Sequence, residues 1–92
     1  MNETLQIILK KMFEIIGEEY SFEKTQSDSW FFDYSWTAEQ ENQFRDWLVN
    51  YLYENKEARQ NLMRWPRKNK KTCKRATNEF ILWYGWKTLE VQ

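Results

Sequence analysis

Seventeen of the 92 residues are aromatic: six Trp, five Tyr and six Phe. This density constrains the fold more than any other feature, because the chain has little else with which to stabilise a small core. A single Cys allows no intrachain disulfide, and the absence of His leaves no ligand set for a structural zinc. A chain of this length buries roughly 60–70% of its unfolded surface. Each buried ring removes about 150–250 Å² from water, worth several kcal/mol at ~25 cal/mol per Å² before entropy is subtracted. Most of the rings are therefore expected in one core, and residues 1–92 are expected to form a single domain. The 41% hydrophobic and 30% charged residues are a globular composition and not a disordered one.

No segment approaches the roughly 20 apolar residues of a membrane helix, so no membrane partner is expected. The N-terminus carries Glu3 and lacks a basic stretch ahead of a long apolar run, which argues against a signal peptide. With one Cys, cytoplasmic residence is the expected localisation.

The first helix is predicted from about Glu3 to Ile16. Leu5, Ile8, Leu9, Met12 and Ile16 share one face, Ile7 falls off it, and Gly17 supplies a left-handed stop. The period then changes to two. Tyr20 and Phe22 alternate with polar residues, and after a polar break Trp30, Phe32, Tyr34 and Trp36 alternate with Phe31, Asp33 and Ser35. That pattern predicts a two-stranded aromatic hairpin lying on helices.

Thr37 and Gln40 have the spacing of a capping box. Phe44, Trp47, Leu48, Tyr51 and Leu52 follow as a helical stripe, with Tyr53 off it. Asn55 breaks this helix and caps another over about 56–64, docked by Ala58, Leu62 and Met63 and ended by Trp65-Pro66. A last helix is predicted from about Asn69 to Tyr84. Cys73, Ala76, Thr77, Phe80, Trp83 and Tyr84 form its buried face, Gly85 is its C-terminal stop, and Trp86 and Leu89 fold back onto the body. The expected class is α+β and mostly helical: an N-terminal helix, an aromatic hairpin, then about three helices.

The net charge of zero conceals a division. Residues 1–57 hold 12 acidic and 5 basic side chains, a net of −7; residues 58–92 hold 2 and 9, a net of +7. No carboxylate lies between Ala58 and Asn78. Seven of the twelve residues from 64 to 75 are cations: Arg64, Arg67, Lys68, Lys70, Lys71, Lys74 and Arg75. Such a cluster steers polyanions, and Trp65 beside Arg64 and Arg67 is placed to stack on a base, so nucleic-acid binding is one reading. Docking on an acidic protein surface is a second, and a solvated face or one turned toward the acidic half is a third. No zinc-finger spacing, RRM signature or Gly-rich nucleotide loop accompanies the cluster. Conversely, Glu18, Glu19, Glu23, Asp28 and Asp33 surround the expected hairpin, an acidic surface able to occupy a basic groove as a nucleic-acid mimic would.

Catalysis is not expected. Without His, Ser-His and Cys-His pairs cannot form and the commonest base near neutral pH is missing. Cys73 lies on the apolar stripe as a small hydrophobe; only an exposed thiol there, beside Lys70 and Lys74, would be redox-sensitive. No cofactor or metal is expected, since a carboxylate site would need side chains gathered from distant segments.

Phe31, Tyr53 and Trp65 do not fit inward stripes, and Trp and Tyr are frequent interface anchors. These three are the candidate partner-binding residues, with the seven cations of 64–75 as the electrostatic or nucleic-acid contact. The block Trp30-Phe31-Phe32-Asp33-Tyr34-Ser35-Trp36-Thr37, with Phe44, Trp47-Leu48, Tyr51-Leu52 and Tyr84-Gly85-Trp86-Lys87, resembles small orphan proteins of bacteriophages and mobile elements in style. The resemblance spans about two thirds of the chain. It implies stoichiometric binding to a host protein, as anti-CRISPR and other counter-defence proteins act.

Overall fold

The computed structural model describes residues 3–25 and 34–89. They form α1 (Glu3–Ile15), α2 (Phe22–Thr25), β1 (Ser35–Thr37), α3 (Ala38–Glu54), α4 (Lys56–Leu62), α5 (Lys70–Tyr84) and β2 (Lys87–Leu89). This is the mostly helical α+β class expected from the sequence. No helix among the described residues is long and apolar enough to cross a membrane.

Helix α1 buries Ile8, Leu9, Met12 and Phe13, and Ile7 is exposed. Its end follows from Gly17, at φ +74°. The Gly17 N–H donates to the Glu14 carbonyl at 3.1 Å and the Glu18 N–H to the Phe13 carbonyl at 2.9 Å. These two bonds form a Schellman cap, which needs a left-handed residue at this position.

The expected hairpin is corrected. Its first half contains the single helical turn α2, closed by the Thr25 N–H on the Ser21 carbonyl at 3.4 Å. Of its second half, residues 30–33 lie outside the described residues, and Ser35–Thr37 pairs with the chain end instead. Strands β1 and β2 run parallel, with Ser35 opposite Lys87, Trp36 opposite Thr88 and Thr37 opposite Leu89. A parallel pair needs a long crossover, which α3, α4 and α5 supply.

Trp86 explains why β2 docks there. Its ring meets Phe13 at 5.2 Å, Tyr34 at 5.5 Å and Trp36 at 5.3 Å between centroids. Trp36 in turn meets Phe44 at 5.5 Å, and Phe44 meets Phe80 at 5.9 Å. A continuous line of rings thus joins α1, both strands, α3 and α5, and rings in edge or tilted contact add to their area burial. Alternation in the sequence marked these residues as aromatic and inward-facing but could not specify their partner strand. Trp86 is buried as expected, whereas Leu89 is exposed on the edge of β2.

Helix α3 begins as its sequence predicts. The Gln40 N–H donates to Thr37 Oγ1 at 3.1 Å and the Thr37 N–H to Gln40 Oε1 at 2.9 Å. Gln40 Nε2 also reaches the Ile15 carbonyl at 3.4 Å, tying the start of α3 to the end of α1. Phe44, Leu48, Val49 and Leu52 are buried, while Trp47 and Tyr51 are half-buried and stacked at 4.9 Å. Asn55 breaks the helix at φ −124° and accepts the Ala58 N–H at 3.0 Å. Helix α4 docks Ala58 and Met63 but stops at Leu62, two residues short of the expected Arg64, because Met63 is already extended.

Two polar links fix the helices. Asn61 Nδ2 donates to the buried Thr4 Oγ1 at 2.8 Å, joining α4 to α1. Thr88 Oγ1 donates to Glu41 at 2.7 Å, Glu41 accepts from Arg45 at 2.8 Å, and Arg45 donates to Asn78. This second chain ties β2, α3 and α5 together.

Candidate functional site

Residues 63–69 join α4 to α5 and present one of the three sequence-predicted anchors, Trp65, and three of the seven cations, Arg64, Arg67 and Lys68. The Arg67 N–H donates to the Trp65 carbonyl at 2.8 Å and the Asn69 N–H to the Arg67 carbonyl at 2.9 Å. Two successive three-residue turns therefore shape the loop, the first centred on Pro66, whose fixed φ suits it. Asn69 then caps α5, its Oδ1 accepting the Lys71 and Thr72 N–H groups at 2.9 and 3.2 Å. Trp65 is 67% exposed at the head of this loop. Arg64, Arg67, Lys68, Lys70, Lys71, Lys74 and Arg75 are all exposed.

Of the seven cations, Arg64, Arg67 and Lys68 lie in the loop, and Lys70, Lys71, Lys74 and Arg75 fall within about 140° of one another on the first turns of α5. Lys70 donates to Asn50 at 2.7 Å and stands 4.5 Å over the Tyr53 ring, with Lys68 5.1 Å from the same centroid. Tyr53, a candidate anchor, is thus half-buried under two ammonium groups, a favourable contact with its ring face. Lys74 lies on the Arg45 and Asn78 side of α5. Arg64 and Arg75 border a hollow with Trp65 on the other side of that helix. Phe31 lies outside the described residues, as do Asp28 and Asp33.

Among the described residues, no ion pair joins the two halves of the charge division. The ion pairs among the described residues, Lys11–Glu14 and Arg45–Glu41, both fall within the acidic portion. None of the seven cations has a carboxylate partner among the described residues. Moreover, Lys70 and Lys71 occupy the first turn of α5 with no acidic residue there. Cations at a helix N-terminus oppose the macrodipole; Lys70 offsets this through Asn50 and Tyr53, whereas Lys71 has no such contact among the described residues.

Helix α5 corrects one expectation and supplies the residues that sequence reasoning missed. Cys73, Thr77 and Phe80 are buried, as predicted, but Trp83 is 77% exposed and Tyr84 is exposed beside Phe80, stacked on it at 4.8 Å. At about 100° per residue Trp83 lies about 80° from Cys73 around the helix, on the margin of the stripe. By the same count Leu82 lies diametrically opposite Cys73, and it is 80% exposed. Plotting Leu82 on the helical wheel reveals an apolar side chain facing away from the core, the signal in the sequence for this surface.

Two hollows flank α5 on this side. One, of about 230 Å³, is lined by α3, α4 and α5 residues including Leu48, Leu62, Phe80 and Trp83. The other, of about 210 Å³, is lined by Met63, Arg64, Trp65, Thr72 and Arg75. Both share Ala76 and Glu79, so they adjoin along α5 across these two residues, each lined by a tryptophan, and the pair of hollows makes a divided trough. Each hollow is smaller than the roughly 300–1,000 Å³ of small-molecule pockets and fits protruding side chains better.

Elsewhere, a shallow depression of about 500 Å³ between α1 and α3 is lined by Lys11, Glu14, Ile15, Gln43, Asp46 and Trp47. Cys73 is fully buried. Among the described residues, no group of three or more His, Cys, Asp or Glu side chains is placed to hold a metal. Comparison with protein-family profiles, with curated proteins and with solved structures finds no match, so the site is read from its own geometry.

Proposed function

We propose that this chain is a non-catalytic binding protein, a small phage-type modulator that occupies the surface of a host protein stoichiometrically in the host cytoplasm. A counter-defence or anti-CRISPR-like role is the form this takes. The observation behind the reading is the pair of exposed rings, Trp65 and Trp83, each lining one hollow of the divided trough. A ring left in water contributes nothing to the free fold, yet tryptophans beside apolar hollows are the commonest anchors of protein interfaces. Leu82 extends the apolar surface beyond Trp83, and the cations around the start of α5 add steering toward an acidic partner.

Affinity purification of the tagged full chain from several bacterial lysates tests this reading. One host protein recovered at near-stoichiometric yield is expected. Recovery of no specific protein from any host contradicts it.

The unpaired cations favour one second reading, nucleic-acid binding through 64–75. Its test is a fluorescence titration with DNA and RNA at about 50 and 200 mM salt, where phosphate contacts make affinity fall steeply. No binding at the lower salt removes this reading.

A further inference from the structure

We infer that the α4–α5 trough takes an acidic amphipathic segment of the protein partner, its apolar side chains at the Trp83 end and its carboxylates at the Arg64–Arg75 end. The inference rests on the protein-binding reading above and adds the chemistry and direction of the bound segment.

The trough is chemically polarised. At the Trp83 end its walls are Leu48, Leu62 and Phe80, with the indole as an exposed rim. At the other end Arg64 and Arg75 flank Trp65. Neither arginine has a carboxylate partner among the described residues, and the chain from Ala58 to Asn78 supplies none. Two guanidinium groups beside an exposed indole match a carboxylate in a peptide that also brings apolar area, since the planar fork pairs with both carboxylate oxygens.

Length and the central residue narrow the occupant further. Thr72 to Trp83 is twelve residues of helix, whose eleven rises of 1.5 Å span about 16 Å. A partner helix of about twelve residues covers that distance and presents anchors one or two turns apart, the helix-in-groove mode. Glu79 lies between the two hollows and belongs to both. Its carboxylate, which also lines the Arg64–Arg75 hollow, repels any anion beside it; a phosphate backbone carries charge at every step across the middle of the trough, whereas a peptide can keep its carboxylates on the Arg64 side and place a polar donor at Glu79. A peptide is therefore favoured over a nucleic-acid strand.

Selection of a displayed library of random peptides about twelve residues long on the immobilised full chain tests this. The enriched sequences should be rich in Asp and Glu and carry large apolar residues toward one end. A synthetic peptide of that sequence should shift the Trp65 and Trp83 indole signals in NMR spectra and leave buried Trp36 and Trp86 unmoved. Trp83→Ala, and separately Arg64→Glu with Arg75→Glu, should each weaken it by more than about tenfold, and only the arginine effect should shrink at high salt. Both variants alter exposed residues, and an unchanged thermal midpoint confirms folding. No enrichment, enrichment of neutral or basic peptides, or binding indifferent to both variants overturns the inference. So does an oligodeoxythymidine that binds in the same trough more tightly than the enriched peptide. A host protein captured by the wild-type chain and equally by both variants removes the trough but leaves the protein-binding reading standing.

Discussion

Arg59 Nη1 donates to the Tyr53 carbonyl at 2.7 Å, and to the Leu52 carbonyl at 3.0 Å. A buried guanidinium on α4 thus closes the end of α3, satisfying two carbonyls that have no partner within their own helix. The same cation sits at the negative end of the α3 dipole, where positive charge is favoured. Arg59→Met keeps the apolar stem but orphans both carbonyls. It should cost about 1–3 kcal/mol in chemical denaturation, with Arg59→Lys restoring part of the loss. Wild-type stability in Arg59→Met would show that the bond pair contributes nothing.

The two glycines should respond differently to alanine. Gly17 has open space around it and a left-handed φ, so Gly17→Ala meets only the backbone penalty of roughly 1–2 kcal/mol. Gly85 ends α5 as expected, but with an ordinary φ of −70° and its N–H on the Ile81 carbonyl. A Cβ there would lie 2.3 Å from the Ile81 carbonyl oxygen, so Gly85→Ala must displace the turn into β2. The larger destabilisation is expected at Gly85, with a changed Trp86 indole signal. Equal losses would contradict the close approach.

Thr77 is fully buried on α5 with no partner for its hydroxyl. Thr77→Val keeps the shape and removes that unsatisfied group. Denaturation should show unchanged or increased stability, by up to about 1–3 kcal/mol. A clear loss would mean that the hydroxyl is satisfied in solution.

Tyr51 gives the fold a pH dependence. Burial, and then the charges of Glu57 and Glu3, raise its phenol above the ordinary value of 10.0. The folded state therefore holds this proton more tightly than the unfolded state. The linked stability is present below pH ~10 and is lost as pH rises through the raised value. Stability should fall as pH rises past about 10, and by less in Tyr51→Phe. Identical falls in both proteins would remove Tyr51 from the effect.

The helices were legible in the sequence wherever a local rule governs them. The Thr37–Gln40 box, the Asn55 break and the Gly17 cap all depend on residues within one turn of one another. The parallel pairing of Trp36 with Thr88 was not legible. It depends on Trp86 meeting Phe13 and Trp36 across most of the chain, and alternation in one segment says nothing about its partner. The candidate site was half legible. Trp65 and the exposed cations could be picked out by their charged loop. Trp83 reads as inward in the sequence because it lies on the margin of the stripe, yet it is exposed.

The central claim is that the Trp83 face of α5 is where a host protein binds. Quantitative capture from lysate with the wild-type chain, Trp83→Ala and Ile7→Ala tests it most directly, since Ile7 is an exposed apolar residue on α1. Both variants should keep the wild-type thermal midpoint, as exposed substitutions usually change stability by no more than about 0.5 kcal/mol. Recovery of the partner should fall by more than about tenfold with Trp83→Ala and stay level with Ile7→Ala. Equal recovery by Trp83→Ala and the wild type would contradict the claim.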